Sequence, residues 1–526
     1  MSQSLYTVSI YDTLGPSTTE YIINNASLAC VATSLPHIPT LLKLKPHLPT
    51  LKIIVSLDPL DAGEQPGISK GALLGTLASE LGVTIHYIGD VERLGASLQR
   101  PCTPPRPDDI ITINYTSGTT AHPKGVTLSH VNAVAAASCS LATVPQYPSD
   151  ILCSYLPLAH IYARMTEHGA LWAGGRIGYF HGNVLELVDD LKLLRPTAFT
   201  SVPRLYNRFG GAIRAATVEQ AGLKGALSRH VVRTKLAAVK QPHGTATNKH
   251  AFYDRIWGRK VASALGLERA KVMVSGSAPL DPNLHQFLRV VFGNHLLQGY
   301  GLTETYAVGL GQIEGDLSAG NCGAIAPAVE CCLMDVPDME YLSTDSAGPR
   351  GELLIRGNTL FSQYYNSPDE TAKAMLDDGW FRTGDICSVD ALGRFTIIDR
   401  VKNVLKLAQG EYISPERIEN VYLSNLNILA QAYVHGDSIQ TFLVAIFGVQ
   451  PDTFAPFASK ILGKTISTTD LHAIRAACLD PRIRKAVVKE LDRVGKKNTF
   501  AGYERVRNCY LYLEPFTIEN ELLTPT

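Results

Sequence analysis

The residues best suited to chemistry lie in one run, Tyr115-Thr116-Ser117-Gly118-Thr119-Thr120-Ala121-His122-Pro123-Lys124-Gly125. Gly118 and Gly125 have no Cβ, so the backbone can approach an anion closely there. Successive N–H groups, with the hydroxyls of Thr116, Ser117, Thr119 and Thr120, form a concave set of donors. Lys124 can place a positive charge over the same anion. The composition therefore suits phosphate. The Walker pattern is excluded, because it needs Gly-Lys-Ser/Thr and Lys124 stands between Pro123 and Gly125. On local chemistry alone, a flexible surface loop is the competing reading. The flanks predict a buried strand over 109–114 and an Ala-rich helix over 131–142. Strand, hydroxyl-rich loop and helix, in that order, form a place to hold phosphate.

Composition narrows the class. The chain has 526 residues, more than one compact core organises, so two or more domains are expected. It is 45% hydrophobic and 18% charged, as in an ordinary globular enzyme. Lys plus Arg and Asp plus Glu both count 48, which argues against a nucleic-acid binder. The 10 cysteines form no Cys-x-x-Cys, and the adjacent Cys331 and Cys332 suit neither a disulfide framework nor zinc, so a reducing compartment is expected. No apolar run is long enough to span a bilayer. Met1-Ser2-Gln3-Ser4 opens no secretory signal, and Leu523-Thr524-Pro525-Thr526 is not the Ser-Lys-Leu address. An intracellular place is expected, in the cytoplasm or peripheral on an organelle membrane, with the peroxisome open.

The elements that must position this chemistry alternate. Strand-like runs over 29–34, 53–57 and 83–88 alternate with helical ones, and 38–48 reads as a helix interrupted by Pro39 and Pro46. This predicts a mostly parallel sheet. Residues 101–107 are Pro-rich and read as a linker. Residues 215–250 carry Lys224, Arg229, Arg233, Lys235, Lys240 and His243 and read as a solvated helical excursion. A basic face turned to a membrane or to CoA phosphates is the other option. Residues 430–512 read as a small α/β domain, with strands at 431–435 and 442–449 and a helix over 469–493.

Further strings carry candidate residues. His160 closes Ser154-Tyr155-Leu156-Pro157-Leu158-Ala159-His160, and by itself reads as a satisfied, half-buried histidine. Tyr206 ends Thr200-Ser201-Val202-Pro203-Arg204-Leu205-Tyr206. Val272–Leu280 is a strand closed by Gly276 and Ser277, small residues that let a ligand near the backbone. In Gln298-Gly299-Tyr300-Gly301-Leu302-Thr303-Glu304-Thr305, Tyr300 offers a flat ring, Thr303 a hydroxyl and Glu304 a carboxylate; a Gly-rich capped turn is the alternative. Asp378-Gly379-Trp380-Phe381-Arg382-Thr383-Gly384-Asp385 ends on a carboxylate that can accept a pair of hydroxyls, and the Asp-Arg-x-Lys of Ile397-Ile398-Asp399-Arg400-Val401-Lys402-Asn403-Val404-Leu405-Lys406, taken alone, reads as a β-hairpin with a surface charge cluster.

Taken together, these strings resemble the adenylate-forming (AMP-binding) superfamily over nearly all of residues 6–526. Tyr11-Asp12-Thr13-Leu14-Gly15-Pro16 and Gly410-Glu411-Tyr412-Ile413 are similar to its long-chain acyl-CoA synthetase branch. The resemblance implies an α/β fold with a large N-terminal domain of mostly parallel sheets flanked by helices, at 1–399. A small mobile α+β C-terminal domain follows at 400–526. It implies that a fatty acid, ATP and Mg2+ give acyl-AMP, and that CoA then takes the acyl group. Ser117, Gly118, Thr119, Thr120, Lys124 and Gly125 would hold pyrophosphate, and Thr116 and Glu304 would hold Mg2+. Tyr300 would stack on adenine with Gly301, Thr303 and Ser277 near the nucleotide, Asp385 and Arg400 would take the ribose, and Lys402 and Lys406 would lie close. His160, Gly276 and Tyr206 would line the acyl pocket, Tyr206 as a tunnel gate or simply a core tyrosine. Asp399 to Lys402 would be the hinge.

The chain departs from the family at several points. The family usually has glycine at Ala121, and a positive φ there would strain alanine by about 1 kcal/mol. The branch has Glu-Arg where this chain has Ala163-Arg164. Relatives carry a lysine shortly after the string that ends here at Thr526, and losing such a cation typically costs ~10²–10³ in rate. The Tyr11 motif also begins almost at once, so the ends are expected to be shortened. The expectation is a long-chain fatty acid–CoA ligase of reduced activity. The alternatives are a ligase for a specialised acid of a secondary-metabolite pathway, a non-catalytic nucleotide- or acyl-binding relative, or a piece of a longer chain.

Overall fold

A computed structural model describes all residues except 1–2, 12–14, 62–68, 99, 117–122, 243, 347, 402–404, 409–410, 438, 518–519, 521 and 523–526. The chain divides into two compact units. One comprises Met1–Val131, Phe361–Ala372 and Thr517–Thr526, and the other Asn132–Leu360 and Lys373–Phe516.

In the first unit, strands Cys30–Thr33, Ile53–Ser56 and Thr84–Tyr87 pair in parallel. Helices Pro16–Asn25, Ile38–Leu44 and Lys70–Glu80 cover them, burying Ile23, Ile38, Leu42, Leu51 and Ile54. The helix expected over 38–48 stops at Leu44 and tightens into a 3-10 turn at Lys45–His47, where Pro46 cannot continue the α-helical bonds. The second sheet runs Thr7–Ser9, Ile110–Thr116, Lys124–Ser129, Gln363–Tyr364. Here the structure corrects the strand–loop–helix expectation. Lys124–Ser129 is itself a strand, antiparallel to Ile110–Thr116 with Thr116 opposite Lys124, before the helix His130–Thr143 begins. Val126 and Thr127 favour the extended chain, and both are buried with Leu128.

The second unit is built on a seven-stranded sheet. Its parallel strands are His295–Tyr300, Val272–Ser275, Ala198–Ser201, Ile151–Ser154 and Arg176–Tyr179, in that order, with Leu310–Gly311 and Ala324–Ile325 added antiparallel. Helices Pro203–Ala216, Gly222–Val239 and Pro282–Phe292 pack on it around Phe199, Tyr206, Phe209, Val231 and Phe287. The excursion read as solvated is only partly so. Lys235 is 1% exposed, paired with Asp254 and bonded to the Val290 carbonyl. An antiparallel sheet follows, ordered Val329–Met334, Arg350–Gly357, Phe381–Val389, Phe395–Arg400. A separate core is drawn wholly from residues 407–511, beneath strands Leu429–His435, Leu443–Val449 and Val506–Tyr512. The helix expected over 469–493 is two, Leu471–Leu479 and Pro481–Lys497, split where Pro481 follows Asp480.

Candidate active site

Four parallel strands of the second unit carry candidate residues at their carboxyl ends. Ile151–Ser154 leads to His160, Ala198–Ser201 to Tyr206, Val272–Ser275 to Gly276 and Ser277, and His295–Tyr300 ends on Tyr300 itself. Open α/β sheets bind ligands on that side. Gln298 ties two of these ends together. Its Oε1 accepts from Leu280 N at 2.9 Å, while its own N–H donates to Gln312 Oε1 at 2.8 Å. Ser277 is held at φ +73°, a conformation a side chain rarely adopts.

The most defined polar group is Tyr300, Asp385 and Arg400. The hairpin register sets Asp385 directly opposite Arg400. Asp385 is 2% exposed; the Tyr300 hydroxyl donates to its Oδ2 at 2.6 Å, and Arg400 Nε lies 3.0 Å from its Oδ1. Burial pushes the Asp385 carboxyl up, opposed by the Arg400 charge and the Tyr300 hydrogen bond. Burial also works against the Arg400 charge, but Asp385 and Glu416 outweigh it and raise the guanidinium above its usual value. Burial, and then the Asp385 charge, drive the Tyr300 phenol well up, so it stays a donor. An ionised carboxylate offers about four lone pairs. Two are engaged here, which leaves one on each oxygen for a pair of hydroxyls.

Two residues that carry no motif support this group. Thr383 Oγ1 accepts from Asp385 N at 3.0 Å and donates to the Leu353 carbonyl at 2.7 Å. Glu352, 2% exposed, takes Gly384 N at 3.2 Å and pairs with Arg382 at 2.6 Å. After Tyr300 the chain turns sharply. A Cβ on Gly301 would stand 2.2 Å from the Ala307 carbonyl oxygen, so only glycine fits. Thr303 and Glu304 follow in a half-exposed 3-10 turn, closed by Leu302 N donating to Thr305 Oγ1 at 3.0 Å.

The remaining residues of this unit fall around the same strand ends with different degrees of engagement. His160 caps the helix Ile161–Trp172, its Nδ1 accepting from Tyr162 N at 3.2 Å; burial holds its pKa down, so the ring is neutral. Space beside Gly276 is filled by Tyr162, whose Cζ would lie 2.9 Å from a Cβ there. Tyr206 is fully buried and donates toward Phe199 O at 3.3 Å and Val274 O at 3.2 Å, the packing of a core tyrosine. Asp399 accepts from Arg400 N at 2.7 Å, and burial raises its carboxyl to about 7. Lys402 lies outside the described residues. Lys406 sits on the short strand Leu405–Lys406, paired with Tyr412–Ile413.

In the first unit, Lys124 forms an ion pair with Glu370 and stands 5.0 Å from the Tyr364 ring centroid. Thr116 Oγ1 makes a weak 3.5 Å contact with Lys124 O, and Gly125 packs where a Cβ would be 3.0 Å from the Tyr115 ring. Ser117, Gly118, Thr119, Thr120 and Ala121 lie outside the described residues. Glu370 and Tyr364, some 240 residues beyond Lys124, gave no signal in the sequence.

A family described as AMP-binding enzyme matches residues 1–365. The chain is 65% identical over 527 residues to an acyl-CoA ligase 891, peroxisomal, of Penicillium brevicompactum, covering 100% of this chain and 74% of that protein. It is 39% identical over 525 residues to the long chain acyl-CoA synthetase 6, peroxisomal, of Arabidopsis thaliana, covering 100% of this chain and 72% of that protein. Among solved structures, the A domain of the carboxylic acid reductase of Segniliparus rugosus, in complex with AMP and a co-purified carboxylic acid, aligns with a TM-score of 0.76. Identity is 25%, over 98% of this chain and 75% of that one.

Proposed function

The chain belongs to the AMP-binding enzyme family, and from that membership we propose which residues carry its reaction. It is an ATP-dependent, AMP-forming acid–thiol ligase acting on a long-chain fatty or related carboxylic acid. The carboxylate attacks the α-phosphate of ATP, forming acyl-AMP and releasing pyrophosphate. The CoA thiol then attacks the acyl carbon and releases AMP. No side chain need become covalently attached, so the protein works by positioning and charge stabilisation.

The observation that carries the residue assignment is the Tyr300–Asp385–Arg400 group. Its free lone pairs suit the two ribose hydroxyls of AMP, and the Tyr300 ring, anchored through its hydroxyl, suits the adenine face. Gly301 lets the chain turn, and on that turn Thr303 would hold phosphate and Glu304 would hold Mg2+. Ser277 is assigned to the nucleotide, as are Arg400, Lys402 and Lys406, and Asp399 to Lys402 is assigned as the hinge. Ser117 to Thr120, Lys124 and Gly125 are assigned to pyrophosphate, with Thr116 as a hydroxyl donor to the metal. The described residues hold no cluster of three or more His, Cys, Asp or Glu side chains able to hold a metal. Mg2+ would be held through one or two carboxylates and the substrate phosphates, with Glu304 and the Thr116 hydroxyl as the protein's share. His160 and Gly276 are assigned to the acyl pocket, with Tyr206 behind it. Residues 1–399 and 400–526 are assigned as the two domains, the separate 407–511 core supporting that division. The peroxisome is the proposed compartment, from the names of both relatives.

The test is hydroxylamine trapping of acyl-AMP across a panel of carboxylic acids, with and without CoA. Long-chain fatty acids should give hydroxamate without CoA and thioester with it. Absence of both products for every acid overturns the assignment. A second reading, a ligase for a specialised acid, stands beside it because the relative at 65% identity is named an acyl-CoA ligase with no chain-length class, while the long-chain synthetase is 39% identical. It predicts that a non-fatty acid of the panel gives the highest kcat/KM.

A further inference from the structure

A cavity of about 500 Å³ opens between helices Pro203–Ala216, Gly222–Val239 and Pro282–Phe292. Four cations rim it, Arg214, Arg229, Arg233 and Lys240, above an apolar floor that includes Leu236 and Phe287. The Gly222–Val239 helix supplies Arg229, Val232, Arg233, Leu236 and Ala237, and Lys240 is its C-cap. Their spacing of three and four residues puts them on one face. The neighbouring strip of the helix buries Ser228, Val231, Lys235 and Val239, and Val232 and Leu236 belong to that core as well as to the cavity floor. The outer part of the cavity face, Arg229, Arg233, Ala237 and Lys240, is left exposed.

Charge along this segment is one-sided. Between Gln220 and Tyr253 stand Lys224, Arg229, Arg233, Lys235, Lys240 and Lys249 and no Asp or Glu, in a chain whose net charge is zero. Lys235 is neutralised by Asp254. Asp281 and Glu219 act on Arg214, and Arg214 lies over the Phe287 ring at 4.8 Å. Arg229 spends its Nη1 on the carbonyls of Val218, at 2.8 Å, and Gln220, at 3.0 Å, which leaves its charge uncancelled. On the adjoining flank of the same helix, Leu223 is 89% and Leu227 46% exposed. Cations on one strip of the helix and exposed leucines on another can meet anionic headgroups and the edge of a leaflet. Among the described residues no helix is long and apolar enough to cross a membrane, so contact through this face would be peripheral.

We propose that this cavity binds the phosphate of an anionic phospholipid, with Arg233 and Lys240 pairing the headgroup, Leu236 and Phe287 meeting its apolar part, and Leu223 and Leu227 dipping into the leaflet. The site lies outside the nucleotide group and brings the enzyme to the phase where amphiphilic acids concentrate. The test is vesicle co-sedimentation of the full chain with phosphatidylcholine alone and with 30% phosphatidic acid, for wild type and the double variant R233Q/K240Q, with activity on a soluble acid measured in parallel. Wild type should sediment only with the anionic vesicles, less so at high salt. The double variant should bind roughly 10- to 30-fold more weakly, at about one cation's contribution per residue, with unchanged thermal melting and unchanged turnover in solution. A second variant, L223S/L227S, should weaken vesicle binding without changing the salt dependence. Equal sedimentation with neutral vesicles, or undiminished binding by R233Q/K240Q, overturns the proposal. A raised KM for CoA in R233Q/K240Q, with vesicle binding intact, would assign the cavity to a soluble phosphate and overturn the lipid assignment.

Discussion

Asp385 is 2% exposed yet has two partners, one a phenol and one a half-exposed arginine. Removing its charge therefore does two things. Asp385→Ala strips the carboxylate assigned to the ribose and takes one of the Tyr300 hydroxyl's two partners, Thr383 being the other; it is expected to lower ATP-dependent acyl transfer about 100-fold or more and stability by ~1–3 kcal/mol. Steady-state kinetics and thermal melting of that variant check both; wild-type turnover would refute the ribose role. Tyr300→Phe separates ring from hydroxyl. The ring remains, so kcat should change little, while KM for ATP should rise because Asp385 loses the donor that helps keep it ionised. A variant with unchanged KM for ATP would show that the hydroxyl does not position the carboxylate.

At the scale of elements, the turn 300–307 leaves no room for a side chain at Gly301, and the hairpin ending at Arg400 buries the Asp399 carboxyl. Gly301→Ala must push the Ala307 carbonyl away and with it Glu304; a shift of about 1 Å can cost ~100-fold in rate, which kcat/KM for ATP would show. The Asp399 carboxyl titrates at about 7 in the folded chain against its ordinary 3.8, so between those values the folded state keeps a proton that the unfolded state has released. Its contribution makes stability fall as pH rises across that window and level off above it. Arg400 N, Ser414, Glu416 and Arg417 are the groups around it, and Glu419, also raised to about 7, adds the same sign. Asp399→Asn should shrink the drop in Tm between pH 5 and pH 8; an undiminished drop would assign it elsewhere. Short, contiguous strings such as Tyr300–Glu304 were legible in the sequence, because each packs its chemistry into one turn. Pairings across long separations were not. Asp385 meets Arg400 only through a hairpin register that shifts at a bulge after Ile386. Lys124–Ser129 was hidden because its Gly-Val-Thr-Leu run follows the loop without a break, and Val506–Tyr512 because Arg507 and Asn508 interrupt its apolar pattern. Lys235 looked solvated because its partner Asp254 lies 19 residues on.

Over the whole molecule, the reaction needs ATP to bind the folded chain and not the unfolded one. Saturation at about 100 times Kd should therefore stabilise wild type by about 2.7 kcal/mol, a rise of a few degrees in melting temperature that Asp385→Ala should lack at the same concentration. Differential scanning calorimetry with and without nucleotide distinguishes the two; an equal rise in both proteins would place the nucleotide away from Asp385. The Lys124–Glu370 ion pair bears on the same equilibrium. On the assignment of Lys124 to pyrophosphate, its charge is already engaged by a carboxylate from the same chain. Incoming polyphosphate would then compete with Glu370 for the lysine, so the ligand-free chain would carry its own competing anion, and nucleotide affinity would follow the difference between two anions.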